Sequence, residues 1–542
     1  MLGLMQDTPL LISNIITHAA LNHADREIVT VTVAEGEHRY GYADCERRAR
    51  QLAKALQGRG MGLGDRVGTL AWNGYRHLEA WYGISGLGAI AHTVNPRLFR
   101  DQIIYIINHA EDRILLADLS FVPLLEDIGA DLASVEAFVL LCDDRHMPET
   151  GLKGAISYER LLAESDDDFV WPRLDENTAA GLCYTSGTTG NPKGVLYSNR
   201  SSVLHAMAAA LPDALGNCER DVVLPVVPMF HANAWGIAHS APMAGTKVVF
   251  PGAALDGPSL HGLIEREGVT LSAAVPTVWL GLLAYLEKEG KRVDSLKKVV
   301  IGGAAAPRSM IEAFETKYDV RVRHAWGMTE MNPLGTVNTP KAKTMADPIQ
   351  KRIDGKRSQG RAVFGVEMKI ADDDGRDLPR DGKAFGHLMV RGPWIVGQYF
   401  RGEGGDILDK DGWFDTGDVA TIDADGFMRI TDRSKDVIKS GGEWISSIDL
   451  ENAAVGHPAI AEAAVIGVSH PKWDERPLLI VVPVVDKSPT RNEVLSYLAD
   501  HIAKWQLPDD VVFVDQLPHT ATGKLLKTEL RETYKDYKLP TI

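Results

Sequence analysis

Eleven consecutive residues, Tyr184-Thr185-Ser186-Gly187-Thr188-Thr189-Gly190-Asn191-Pro192-Lys193-Gly194, place three glycines, four Ser or Thr hydroxyls and a lysine between two apolar runs. Glycines let a backbone turn tightly enough for several N–H groups to converge on phosphate oxygens, and the hydroxyls and lysine add donors and positive charge. Clusters of Gly, Ser and Thr are also common in plain surface loops. The terminal lysine and the apolar flanks favour a phosphate cradle. A P-loop requires Gly-Lys-Ser/Thr opening a helix. Here Lys193 follows Pro192 and leads into the strand-like run Gly194-Val195-Leu196-Tyr197, so that pattern is excluded.

Six further motifs follow in order: Pro228-Met229-Phe230-His231, Gly302-Gly303-Ala304-Ala305, Trp326-Gly327-Met328-Thr329-Glu330, Phe414-Asp415-Thr416-Gly417-Asp418, the segment from Asp432-Arg433-Ser434-Lys435-Asp436 through Lys439-Ser440-Gly441-Gly442-Glu443, and Thr522-Gly523-Lys524. In this order, over nearly the whole chain, they resemble the adenylate-forming superfamily of acyl-CoA synthetases, firefly-type luciferases and peptide-synthetase adenylation domains. The resemblance implies an ATP-dependent, AMP-forming acid–thiol ligase. It implies that ATP or AMP is held by Thr185, Ser186, Gly187, Thr188, Thr189, Gly190 and Lys193, and by Gly303, Ala304, Ala305, His324, Ala325, Trp326, Gly327 and Met328. Thr329 is implied as the α-phosphate partner, Glu330 as the Mg²⁺ ligand, and Asp418 and Arg433 as the ribose pair. The acyl pocket is implied at Trp235, Gly236, Gly302 and Pro333. Coenzyme A is implied at Lys439, Ser440, Gly441, Gly442, Glu443 and Trp444, with Lys435 as hinge.

The residue types suit these roles. Mg²⁺ prefers carboxylate and phosphate oxygens with water, although an acid like Glu330 without such neighbours is ordinarily a solvated surface group. A carboxylate such as Asp418 accepts two hydrogen bonds from vicinal ribose hydroxyls, and Arg433 adds a charged donor; otherwise Asp418 reads as a turn residue after Gly417. Trp326 stands where the superfamily usually has tyrosine: the indole keeps a flat face for adenine and lacks the hydroxyl. Lys524 is implied as the catalytic cation, because carboxylate attack on the α-phosphate brings two anions together; without Thr-Gly before it, it would read as an exposed lysine like its neighbour Lys527. A lone histidine in apolar surroundings is commonly a core group, whereas the resemblance puts His231 between acyl carbonyl and thiol as a positioning group and gate. Trp235, in Asn233-Ala234-Trp235-Gly236, resembles the aromatic gate of bacterial fatty acyl-CoA synthetases, with a buried core tryptophan as the alternative.

The segments 229–235 and 440–447 resemble medium- and long-chain acyl-CoA synthetases and, more narrowly, bacterial 3-(methylthio)propanoate–CoA ligases. A luciferase-like oxygenase and a non-catalytic nucleotide-binding regulator are the alternatives from other classes, the latter opposed by the presence of Lys524, Glu330 and Asp418. Loading of a carrier protein in place of coenzyme A is a nearer alternative. The resemblance also implies a homodimer.

These side chains need a frame. From about Asn177 onward short β-branched runs alternate with helical stretches: strands are predicted at 222–224, 247–250, 269–275 and 298–301, with a helix after Pro307. Earlier, 46–56 reads as an amphipathic helix and 66–70 as a strand. The alternation predicts an α/β fold with parallel-rich sheets covered by helices and ligand sites at the carboxyl ends of the strands. Asp423-Ala424-Asp425-Gly426 reads as a hairpin turn, and the polar stretch 432–436 as a linker. The expected domains are therefore a large N-terminal domain over 1–432, a hinge at 433–435 and a small mobile α+β domain over 436–542.

With 542 residues, more than one core is expected. The content of 45% hydrophobic and 24% charged residues suits a soluble globular protein. A net charge of −15 opposes non-specific nucleic-acid binding without excluding a nucleotide in a locally positive pocket. Cys45, Cys142, Cys183 and Cys218 form no CxxC pair, which argues against a zinc site or disulfide framework. The first residues lack the basic start of a signal peptide, and runs such as 477–485 are too short to span a bilayer. A cytoplasmic location is the expectation.

Overall fold

A run such as Val299-Val300-Ile301 has no polar face, so as a strand it requires cover on both sides, which a parallel sheet flanked by helices provides. The structure is a computed structural model that describes residues 1, 3–185, 191–441, 443–519 and 525–540, without the side chains of Glu443 and Trp444. Ser186, Gly187, Thr188, Thr189, Gly190, Gly442 and Lys524, all expected in the site, lie outside the described residues.

Among the described residues two parallel-rich sheets dominate the first part of the chain. One has seven strands, ordered Ile156–Ser157, Ala137–Leu140, Ile114–Ala117, Arg66–Leu70, Ile90–Thr93, Ala179–Tyr184 and Gly194–Ser198, with only the last pair antiparallel. The other has nine strands. Its parallel centre runs Arg321–Gly327, Lys298–Ile301, Leu271–Ala274, Val222–Pro225, Lys247–Phe250 and Glu27–Val31. Strands appear at 66–70, 247–250 and 298–301 as expected, while the predicted 269–275 strand is shorter, at Leu271–Ala274.

The predicted amphipathic helix is Tyr42–Gly58, and its Cys45, Ala49, Leu52, Ala53 and Leu56 are buried at the three-to-four residue spacing that makes one face. It packs on helix Tyr75–Leu87, every residue of which is buried. That second helix lies inside the molecule rather than on it.

Beyond these layers lies a four-stranded antiparallel sheet, Glu367–Ala371, Phe385–Arg391, Phe414–Ile422 and Met428–Arg433. The Asp423–Gly426 turn joins the last two strands, and Asp423 Oδ1 accepts from the N–H groups of Asp425 and Phe427. The C-terminal part is a mixed five-stranded sheet whose longest strands are Ile460–His470 and Asp474–Pro483. Helices Ser447–Val455, Arg491–Ala499 and Lys527–Thr533 accompany it. Here the expected 477–485 run is a buried strand through Pro483. This agrees with the expected fold class, a large parallel-rich α/β part and a smaller C-terminal one. No helix among the described residues is long and apolar enough to cross a membrane.

Candidate active site

The carboxyl ends of strands from both large sheets open on one cavity of 430 Å³. Thr185 follows strand Ala179–Tyr184, and Lys193 precedes strand Gly194–Ser198. The Thr185 N–H donates to Lys193 O at 2.9 Å and the Lys193 N–H to Thr185 Oγ1 at 3.1 Å, so the neck of the glycine-rich loop is closed. The segment joins two antiparallel strands, in keeping with exclusion of a P-loop. Gly302 and Gly303 follow strand Lys298–Ile301, and Ala325, Trp326 and Gly327 end strand Arg321–Gly327. Together with His231, Trp235, Met328, Thr329, Glu330, Pro333, Arg433 and Lys435, they line the cavity. Thirteen cavity-wall residues of the expected set thus come from four separate stretches of chain, in addition to the two at the loop neck.

Thr329 and Glu330 lie in the short turn after Met328 and are nearly buried. Tyr197 donates its hydroxyl to Thr329 O at 2.6 Å, and Tyr399 donates its own to Glu330 Oε1 at 2.8 Å. Burial and the neighbouring Glu330 carboxylate push the Tyr399 phenol well up, so it remains a donor. The ring of Tyr399 also faces Lys193, whose Nζ is 4.9 Å from its centroid. Tyr399 was not anticipated. It has no motif of its own and meets Glu330 only through folding.

Asp418 lies opposite Arg433 in the register of strands Phe414–Ile422 and Met428–Arg433. Arg433 Nε is 2.8 Å from Asp418 Oδ1, and Trp326 Nε1–H donates to Oδ2 at 2.9 Å. The indole therefore supplies a hydrogen-bond donor after all, and supplies it to the carboxylate.

At the other end of the cavity His231 begins an unusual turn. Ala232, Asn233, Ala234, Trp235 and Gly236 all have left-handed backbone, with φ between 45° and 79°. Trp235 is thereby turned so that its six-membered ring packs on Gly302. Gly236 does not line the cavity; it lies against His205, where a β-carbon would sit 2.3 Å from Cε1. His205 is buried, takes the Leu334 N–H on Nε2 at 3.1 Å, and is held neutral by burial, at about 3. Trp235, Gly236 and His205 close that end.

His324, Ala304 and Ala305 are not on the cavity wall. His324 accepts the Ala306 N–H on Nε2 and donates Nδ1–H to Lys356 O, which pins the 303–306 loop, and burial lowers it to about 4. Lys439, Ser440 and Gly441 belong to the C-terminal sheet and its turn, away from the wall. By contrast, Leu525, Leu526, Lys527, Thr528 and Arg531, just beyond Lys524, border the cavity. Lys527 is not an exposed lysine: it is nearly buried, with Nζ 2.6 Å from Glu451 Oε1 and bonded to Ser447 Oγ. Ser447 in turn donates its N–H and hydroxyl to Asp432. Lys435 borders the cavity, and burial lowers its ammonium from the usual range.

The arrangement offers phosphate donors, a nearly buried carboxylate suited to Mg²⁺, a carboxylate–guanidinium pair suited to a sugar diol, and an apolar end. A medium-chain-fatty-acid–CoA ligase of Ectopseudomonas oleovorans is 52% identical over 539 residues, covering 99% of this chain and 98% of the relative. A 3-methylmercaptopropionyl-CoA ligase of Ruegeria lacuscaerulensis is 53% identical over 536 residues, 99% of each chain. Among solved structures, the anthranilate CoA ligase AuaEII in complex with anthranoyl-AMP superimposes with a TM-score of 0.86 at 26% identity, covering 98% of this chain and 99% of that one. Residues 16–400 match the AMP-binding enzyme family and residues 449–524 match the AMP-binding enzyme C-terminal domain, so the chain belongs to the AMP-binding enzyme family.

Proposed function

We propose that the chain is an ATP-dependent, AMP-forming acyl-CoA ligase whose acid is short or medium in length, with 3-(methylthio)propanoate as the first candidate. The observation that carries this is one cavity lined by Lys193, Thr329–Glu330, Trp326, Arg433, His231 and Trp235, with the buried Asp418 bonded to Trp326 and Arg433 behind the wall. The names of the two half-identical relatives support the ligase class and both acids. A volume of 430 Å³ is at the small end of the usual range of about 300–1,000 Å³. It must hold a nucleotide as well as the acid, which supports a short tail. Medium-chain fatty acids are the second reading, favoured by the 52% identical relative.

In the first half-reaction a carboxylate oxygen attacks the α-phosphorus of ATP and pyrophosphate leaves. Thr185, Lys193 and Thr329 bind the phosphates, Asp418 and Arg433 the ribose, and Trp326 borders the adenosine. Lys524 is the proposed bridging cation between the two anions. Glu330 would hold Mg²⁺, which when bound neutralises charge on the triphosphate. In the second half-reaction the coenzyme A thiol attacks the acyl carbonyl and AMP leaves, with His231 at the junction. We assign residues 1–432 to the large domain and 433–435 to the hinge; rotation about Lys435 would exchange the 525–531 face for the 439–444 face. The border formed by 525–531, with 439–441 away from the wall, supports an orientation suited to the first step. A cytoplasmic homodimer is the proposed form. Coenzyme A-dependent AMP release, measured with acids from acetate to palmitate and with 3-(methylthio)propanoate, tests the reading. A maximum at four to six heavy tail atoms supports it, and a maximum at palmitate overturns the short-acid assignment.

A further inference from the structure

Asp432 is the next-to-last residue of strand Met428–Arg433 and is 1% exposed. Its Oδ2 accepts the Ser447 N–H at 2.7 Å and the Ser447 hydroxyl at 2.5 Å, and its Oδ1 accepts the Arg433 N–H at 2.8 Å. Ser447 opens the nine-residue helix Ser447–Val455. A carboxylate from one side of the 433–435 segment therefore meets the positive end of a helix from the other side. The Ser447 hydroxyl also accepts from Lys527 Nζ at 2.5 Å, and Nζ lies 2.6 Å from Glu451 Oε1. Lys527 in turn opens helix Lys527–Thr533, which borders the cavity. Burial raises both carboxyls, Glu451 to about 7, and the Lys527 ammonium opposes that rise. Breaking such a buried set is costly, because it leaves a charge unpaired. Two further links join the same sides. The Ser446 hydroxyl donates to Thr431 O, and Arg429 pairs with Asp449 at 2.5 Å. Both members of that pair are 42% exposed, and exposed pairs contribute little.

We infer that Asp432 is a positioning residue for the first half-reaction: through Ser447 and Lys527 it latches the C-terminal part in the orientation that sets residues 525–531 on the cavity. The inference rests on the proposed two-step reading with its hinge at 433–435. Rotation there carries Ser447, Glu451 and Lys527 away from Asp432, so the latch opens before the second step. Opening gives the Asp432 carboxylate and the Ser447 N–H to water, which recovers part of what the contact supplied. The latch thus biases the two orientations without locking them. Loss of a hydrogen bond to a charged group shifts such an equilibrium by about tenfold.

Asp432→Ala removes both bonds to Ser447, whereas Asp432→Asn keeps an uncharged acceptor. Thioester formation is measured from supplied 3-(methylthio)propanoyl-AMP at subsaturating coenzyme A, where the rate follows the fraction of molecules in the competent orientation. Asp432→Ala should raise that rate about tenfold without raising ATP–pyrophosphate exchange, and Asp432→Asn should lie between. A rate that falls together with the exchange would overturn the inference. That is the result expected from mere damage to the fold or to neighbouring Arg433, since acyl-AMP and ATP carry the same ribose. A readout independent of turnover is the distance between spin labels at Glu265→Cys and Asp500→Cys, exposed positions in the two parts, in a Cys218→Ser background without ligands. One dominant distance in the parent should give way to two in Asp432→Ala. An unchanged distribution would overturn the latch whatever the substrate. If the distances shift as expected but the unmodified protein performs neither half-reaction with any acid, the latch stands and the ligase reading falls.

Discussion

Replacing Trp235 by alanine tests where the acyl chain ends. The indole packs on Gly302, and behind it Gly236 is pressed against His205, so a tail longer than the cavity meets an aromatic wall. Removing the indole leaves room for further methylenes in surroundings that are apolar on the Trp235 side. Each buried methylene contributes about 0.8 kcal/mol, so the three that separate octanoate from pentanoate are worth about 2.4 kcal/mol. At about 1.4 kcal/mol per decade this is roughly a 60-fold change. Partial collapse of the vacated space reduces the gain, and half of it corresponds to roughly eightfold. The octanoate-to-pentanoate ratio of kcat/KM should therefore rise by about 8- to 60-fold in Trp235→Ala, and by less in Trp235→Leu. The assay is AMP release at saturating ATP and coenzyme A over a series of straight-chain acids, with a melting curve to establish that the variant is folded. An unchanged ratio in a folded variant would mean that the acid does not end at Trp235.

Lys524→Ala should reduce acyl-adenylate formation at least about 100-fold, the scale of a lost preorganised charge, while sparing thioester formation from supplied acyl-AMP; equal loss in both steps would remove Lys524 from the first. Lys435→Pro should do the converse, because proline fixes φ near −65° where the proposed rotation needs freedom, and separate rapid-quench measurement of pyrophosphate release and coenzyme A consumption decides between them. Tyr399→Phe removes the donor on Glu330 Oε1 and should raise the Mg²⁺ concentration for half-maximal pyrophosphate exchange about tenfold; an unchanged requirement would make Tyr399 structural only. Burial lowers His77, His239 and His324 to about 4 and His205 to about 3. Their folded forms bind fewer protons than the unfolded chain, so they add no penalty above about pH 6.5 and cost stability as pH falls from there towards 4. Each contributes up to about 1.4 kcal/mol per pH unit, and His324→Gln should flatten the urea-unfolding slope between pH 6 and 5 by about that amount.

Much of the frame was legible because short β-branched apolar runs favour buried strands. Arg66–Leu70 and Lys298–Ile301 are found where those runs lie. The strand after the glycine-rich segment was legible too, since Gly194-Val195-Leu196-Tyr197 reads as a strand and is one. What escaped the sequence depends on contacts between distant positions. Trp326 reads as a tyrosine that has lost its hydroxyl, yet the strand register that sets Asp418 against Arg433 also brings the carboxylate to the indole N–H. Lys527 reads as a surface lysine, whereas Ser447 and Glu451 of helix Ser447–Val455 both bond to it, with Asp432 behind Ser447. The left-handed run from Ala232 to Gly236 has little local signal beyond Asn233 and the final glycine, because tertiary packing of Trp235 and His205 enforces it.

The central claim is that this cavity joins an acid to AMP before the thiol arrives. It is tested most directly by following oxygen. With 3-(methylthio)propanoate labelled by ¹⁸O in both carboxylate positions, and with ATP, Mg²⁺ and coenzyme A supplied, the carboxylate oxygen that attacks the α-phosphorus stays on phosphorus when the thiol displaces it. AMP carrying one ¹⁸O atom, with unlabelled pyrophosphate, is the result expected. Unlabelled AMP, or label recovered in orthophosphate, would contradict it.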